Sequence, residues 1–285
     1  MFHIRSLWFK LEVVPVQRYY FDHNATTPLD ERVLNAMLPF LREQYGNASS
    51  RHDMGITARR AIDAAREQVA ALVNVRPQQV VFTSGGTEAN NLFIKGAAEI
   101  LKPAQVAVSA IEHPCVTEAA RKYFPRRHRF IPVTRAGQVD LDWVAKKLKR
   151  KRPGLLAMLA VNNETGVVQP TREVLQLCQA HEVPFFCDAV QWIGKLPAAG
   201  LGECDWVSGS AHKFGGPRGM GFLKCPARGR VEPLLRGGAQ EEGRRAGTEN
   251  VASVLAMIAA LSAREAAMFG EGGVVQRGSA RMRFE

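Results

Sequence analysis

Cysteine is scarce in this sequence. Its five cysteines, Cys115, Cys178, Cys187, Cys204 and Cys225, include no C-x-x-C pair and are too few for a disulfide scaffold, so they read as reduced, mostly buried small hydrophobes. No metal site is expected. Long hydrophobic runs are missing too. The most apolar stretch, Val251 to Ala263, is interrupted by serines and reads as too short to cross a bilayer. The opening segment MFHIRSLWFKLEVVPVQ is broken by Arg5 and Lys10, and no small-residue cleavage site follows it. The expectation is a soluble, cytoplasmic protein with no membrane partner. No internal repeat, low-complexity tract or linker is visible before about Gly270.

Acidic residues are nearly absent from one segment. Between Arg121 and Arg152 there are twelve Lys/Arg against two Asp, which accounts for almost all of the net charge of +11. Two clusters, RKYFPRRHR and KKLKRKR, carry the excess. Such a patch attracts polyanions without specificity. No nucleic-acid-binding motif accompanies it, so it reads as a solvated helix face and loop, with nucleic acid the disfavoured partner.

What is present is a core-forming chain, 46% hydrophobic over 285 residues, in which short β-rich runs alternate with longer helical ones. The strand candidates span 79–84, 105–109, 129–133, 155–161, 184–190, 205–210 and 219–225. The clearest helix is TARRAIDAAREQVAALV, where Ala58, Ile62, Ala65, Val69 and Leu72 recur at helical spacing. Near-continuous apolar strands between helices imply an α/β protein with a mostly parallel sheet and helices on both faces.

In such sheets ligands sit beyond the carboxyl ends of the strands. Gly85-Gly86-Thr87 opens a helix there and could cradle a phosphate, although alone it fits a plain turn better, being neither a Walker loop nor a dinucleotide fingerprint. Asn162-Asn163-Glu164 leaves another strand. Asp188 ends the apolar run PFFC and reads either as a capping acid or as a ligand contact. The stretch SGSAHKFGG then places Lys213, whose amine can condense with a carbonyl once its environment lowers its pKa. Phosphate cradle, acid and lysine together form the set that pyridoxal phosphate requires.

Eight stretches, in order, carry a resemblance: YFDHNATTPLD, GNASSRHDMG, FTSGGTEANNLFIKG, EHPCV, VNNETGVVQP, CDAVQWIGKLP, SGSAHKFGGPRGMGFL and GGAQEEGRRAGTEN. They resemble the cysteine desulfurase family, within the class V aminotransferases of pyridoxal-phosphate fold type I, over roughly residues 19–265. The resemblance implies a large cofactor domain over 19–269, after an N-terminal extension over 1–18. It implies pyridoxal 5'-phosphate as cofactor, L-cysteine or a related amino acid as substrate, a homodimer and a sulfur-acceptor protein.

By the same resemblance, Lys213 would hold the cofactor covalently and move protons, Asp188 would pair with the ring nitrogen, and His113 would stack on the ring. Asn163 and Gln191 would bond the phenolic oxygen. Gly86, Thr87, Ser210 and His212 would hold the phosphate, with Thr248 reaching in from a second subunit. Asn47 would meet the substrate. Cys115 is expected to be structural, because the family carries its sulfur-accepting cysteine further downstream. Residues 270–285 read as an irregular basic tail without a cysteine, and the small C-terminal domain is expected to be absent. Two readings therefore stand open: a desulfurase-like enzyme with impaired sulfur transfer, or a non-catalytic cofactor-binding fragment or interaction partner of an intact paralogue.

Overall fold

The computed structural model describes residues 19–101, 104–227 and 231–270. The expected N-terminal extension and all but the first residue of the expected tail lie outside the described residues. Seven strands form one sheet: β1 (Val80–Thr83), β2 (Val106–Ser109), β3 (His128–Ile131), β4 (Leu155–Leu159), β5 (Phe185–Asp188), β6 (Trp206–Ser210) and β7 (Gly221–Lys224). Their order across the sheet is β1-β7-β6-β5-β4-β2-β3. Only β7 runs against its neighbours, so the other six direct their carboxyl ends to one edge. Six strands fall inside an expected run, and β3 overlaps its run but begins one residue earlier, at His128. The third is shorter than expected: Pro132 lacks the N–H that pairing needs, and Val133 makes only an isolated bridge to Val139.

Alternation along the strands feeds two cores, one on each face. Phe185 and Cys187 enter the same buried cluster as Val80 and Phe82, while Phe186 and Val81 enter the other. Helices α3 (Gly86–Ile100) and α4 (Pro114–Tyr123) pack together on the second of these clusters. The first is covered by α2 (Asp53–Leu72), α5 (Leu141–Arg150), α6 (Thr171–Ala180) and α7 (Val251–Phe269), with α1 (Glu31–Arg42) lying against α7. The apolar stripe expected on α2 is buried from Ala58 to Val69, and Leu72 packs at its margin.

The apolar stretch that begins at Val251 is longer than expected. The helix continues to Phe269, and Val251–Met268 is long and apolar enough to cross a membrane, with a mean hydropathy of 1.5. Its Ala256, Met257 and Ala260 are buried in the core and the helix packs against α1 and α2, which accounts for its composition. The basic clusters fall at the far ends of α4 and α5 and the start of β3, at the sheet edge opposite the strand ends considered below.

Candidate active site

The strand ends and the turns after them enclose a cavity of about 320 Å³. One wall begins where β1 gives way to α3. Gly85 has φ 141°, a backbone conformation that side chains strongly disfavour, and a Cβ on Gly86 would sit 2.8 Å from Val190 Cγ2. Glycine is therefore required at both positions. The start of α3 presents the Gly86 and Thr87 backbone to the cavity, and unpaired amides at a helix start favour an anion. Ser210 and His212, at the end of β6, line the same wall. Arg218 joins them in an adjoining recess, a cation that the sequence reading missed. Burial, reinforced by Lys213 and Arg218, lowers the His212 pKa to about 4, leaving the ring neutral at pH 7.

Asp188 ends β5 at the cavity floor and is 6% exposed. Its oxygens are met by amides: Asn90 Nδ2 donates to Oδ2 at 2.7 Å and the Val190 N–H donates to Oδ1 at 3.0 Å. Burial raises its pKa despite these bonds. A carboxylate held this way is best satisfied by a cation arriving from the cavity. Asn90, on α3, is a site residue that sequence reasoning did not single out; it sits 98 positions from its partner.

Lys213 lies in the short turn Ala211–Lys213 that follows β6. Its Nζ donates to the carbonyls of Asn24 at 2.6 Å and Ala25 at 2.9 Å. The segment bearing those carbonyls is itself tied down, since the Thr27 N–H and Oγ1 both donate to His212 O and the Gly215 N–H donates to Thr27 Oγ1. Burial lowers the Lys213 pKa, opposed by Asp188 and Asp22, so a larger share of the amine is neutral and nucleophilic than in a free lysine.

His113 caps α4, and its Nδ1 accepts the Cys115 N–H at 3.2 Å. With a backbone N–H as the donor, Nδ1 is the acceptor in this bond. Cys115 Sγ lies 3.0 Å from the same Nδ1 and accepts from Asn90 Nδ2 at 3.1 Å. Burial and the nearby Asp188 charge push this thiol up to about 12, so it is a poor source of thiolate. Asn163 lines the opposite wall, where its Nδ2 donates to Glu164 Oε1 at 2.7 Å. Its neighbour Asn162 serves the turn instead, its Oδ1 accepting from the Glu164 and Thr165 N–H groups.

Nine of the ten expected cofactor residues thus meet around one cavity. Two expected site residues do not. Thr248 lies in a separate depression beside Arg245 and Glu249, and Asn47 Oδ1 accepts the Ser49 N–H in a surface turn. Cavity, anion-favouring helix start, buried acid and depressed-pKa amine are together suited to a phosphorylated, cationic ring bearing a carbonyl, which is the chemistry of pyridoxal phosphate.

The family model for Aminotransferase class-V matches residues 19–270. The chain is 42% identical over 246 residues to the cysteine desulfurase IscS of Dictyoglomus turgidum, covering 84% of this chain and 61% of that protein. It is 41% identical over 278 residues to a cysteine desulfurase of Klebsiella pneumoniae, covering 95% of this chain and 68% of that one. A solved NifS-like protein superposes with a TM-score of 0.83 at 38% identity, over 87% of this chain and 70% of the other. The chain therefore spans about two thirds or less of the length of these curated relatives.

Proposed function

The chain belongs to the cysteine desulfurase family of the class V aminotransferases, which depend on pyridoxal phosphate, and from that premise we propose that residues 19–269 are a cofactor domain acting on L-cysteine. The observation that carries the proposal is the convergence of Lys213 and the buried Asp188 with the glycine-opened start of α3 on one cavity. When bound, the cofactor supplies an electron sink for bonds at the substrate's α-carbon.

The chain's own residues do the rest. Lys213 would hold the cofactor through its carbonyl, and its lowered pKa suits the amine to hold and move a proton at the substrate's α-carbon. Asp188 would keep the ring nitrogen protonated by holding a negative charge beside it. Gly86, Thr87, Ser210 and the neutral His212 would hold the phosphate, with Thr248 contributed by a second subunit of a homodimer. Asn163 and Gln191 would bond the phenolic oxygen, His113 would stack on the ring, and Asn47 would contact the substrate.

Taking sulfur from the substrate requires a nearby thiolate. Cys115 is the chain's one cysteine at the cavity, and its thiol is pushed up to about 12; Cys178, Cys187, Cys204 and Cys225 are buried elsewhere in the fold. We therefore assign the acceptor thiolate to a group outside the described residues, and expect the 285-residue polypeptide by itself to desulfurate cysteine slowly. The same thiol chemistry is what favours the second reading, a cofactor-binding protein without turnover that pairs with an intact relative. Cytoplasmic residence and a sulfur-acceptor partner belong to the first reading. The test is to add pyridoxal phosphate and then cysteine while following absorbance, alanine and sulfide. A cysteine-dependent spectral change supports a substrate-binding enzyme site. Cofactor uptake with no response to cysteine supports the non-catalytic reading, and failure to take up cofactor refutes both.

A further inference from the structure

Lys195 is absent from the expected site residues, yet the structure ties it to one of them, Gln191, and to the Asn24 turn that also receives Lys213. It lies in the turns after β5, and its Nζ donates to Gln191 Oε1 at 2.5 Å and to Asn24 Oδ1 at 3.2 Å. An ammonium group has three donors and no acceptor, so the bond fixes which end of the Gln191 amide faces it. The oxygen points to Lys195. The nitrogen is left on the other side, where it donates to Asn24 O at 2.8 Å, the same carbonyl that receives Lys213 Nζ at 2.6 Å.

We propose that Lys195 is a positioning residue of the cofactor pocket: it locks the Gln191 side chain so that only its N–H₂ edge is offered to a group bound in the cavity. The inference rests on the cofactor reading above and deepens it. Gln191 could otherwise present either end of its amide, and an oxygen turned toward an anionic phenolic oxygen would repel it. Lys195 also sits in a cationic neighbourhood: burial, Lys213 and Arg264 lower its pKa to about 8. Its placement there is unfavourable unless the two side-chain oxygens it receives offset the cost.

The test uses the full chain loaded with pyridoxal phosphate and reads the pH midpoint of the bound cofactor's absorption. Losing a donor at the phenolic oxygen makes that oxygen more basic, so the proton it shares with the Lys213 nitrogen is retained to higher pH. Lys195→Met is expected to raise the midpoint by about half a pH unit or more, and Lys195→Arg, which retains charge and donors, to stay near the unaltered value. Because the effect runs through Gln191, Lys195→Met should shift the midpoint less in a Gln191→Ala background than in the unaltered chain. If Lys195→Met does not fold, judged by its thermal transition, Lys195→Leu, which likewise carries no donor, replaces it with the same expectation. An unmoved midpoint, or equal shifts in both backgrounds, overturns the proposal while the cofactor reading stands. Failure of the unaltered chain to acquire cofactor at Lys213 overturns both.

Discussion

Replacing Asp188 with asparagine should separate what this residue does for the fold from what it does for the cofactor. Without cofactor, Asp188 is a buried carboxylate satisfied by two amide donors, and burial raises its pKa. For an acid whose folded pKa lies above the unfolded value, ionisation favours the unfolded state. The contribution is therefore most favourable below the unfolded pKa and is lost as pH rises through the folded one. At neutral pH the empty domain carries that penalty. Asp188→Asn removes the charge and keeps the bond from the Val190 N–H. The bond with Asn90 need not be lost: Asn90 Oδ1 is buried without a partner, so a flipped Asn90 amide can accept from the new side chain.

The net change is a gain of about 1–2 kcal/mol for the cofactor-free protein, since desolvating an ion costs more than one neutral hydrogen bond returns. That corresponds to a rise of roughly 2–8 °C in its thermal midpoint. Cofactor binding moves the other way. A hydrogen bond to a charged group is worth about 1.5–3 kcal/mol, so affinity should fall roughly 10–150-fold. Thermal scans at pH 7 with and without pyridoxal phosphate, together with a titration followed by absorbance, measure both effects. A variant that is less stable when empty and binds cofactor normally would refute the assignment and make Asp188 a structural acid.

Borohydride reduction of the loaded protein should fix the cofactor to Lys213, as read by peptide mass spectrometry, and Lys213→Ala should abolish the label; labelling only at other lysines refutes the anchor. Gly86→Ala places a Cβ 2.8 Å from Val190 Cγ2 and should weaken cofactor binding at least tenfold in the same titration, against little change for an alanine at the open Gly200. His212 has its folded pKa depressed to about 4, so stability is lost as pH falls below about 6.5, where the unfolded chain takes up the proton first; His212→Gln should flatten that part of the pH–stability curve. Sedimentation should find a dimer or larger species, because Leu34, Leu41, Tyr45 and Ile56 on or beside α1 and α2 are exposed apolar groups; a monomer at all concentrations argues against a site shared with a second subunit. Sulfide and alanine from cysteine should form slowly in the 285-residue polypeptide; enzyme-like rates abolished by Cys115→Ser would show that the elevated thiol pKa does not disable Cys115.

The parallel sheet was legible because its strands are buried on both faces and so read as uninterrupted apolar runs such as LLAML and VVFT. Direction was less legible. β7 follows β6 after a ten-residue connection that contains Lys213, and whether such a connection returns as a hairpin depends on its turns. Gly215 and Gly219, both with positive φ, reverse the chain and let the Ala211 N–H reach Met220 O. The reach of α7 was underestimated because composition marks where a helix turns polar, whereas its end is set by packing. Leu261 is still buried, and the more exposed turns after it simply continue the hydrogen-bonded helix to the Gly270 cap.

The site residues that were legible lie at the ends of strands, where sequence position alone says which edge of the sheet they reach. Those that were missed act across long separations. Asn90 reaches Asp188 from a helix, and Lys195 and Lys213 meet the Asn24 turn from 171 and 189 positions away. Asn90 follows Glu88 in a helical run and carries no local sign of function, since an asparagine inside a helix usually faces solvent or serves a turn. What distinguishes it is burial, 1% exposed, with one amide edge committed to the site's acid. The same holds for the Asn24-Ala25 carbonyls: main-chain acceptors have no sequence signature, yet they receive the Lys213 amine on which the proposed function rests. The cavity is thus built from two kinds of information, side-chain identity at strand ends, which sequence displays, and the long-range closure of the 22–27 segment over Lys213, which only the folded chain brings about.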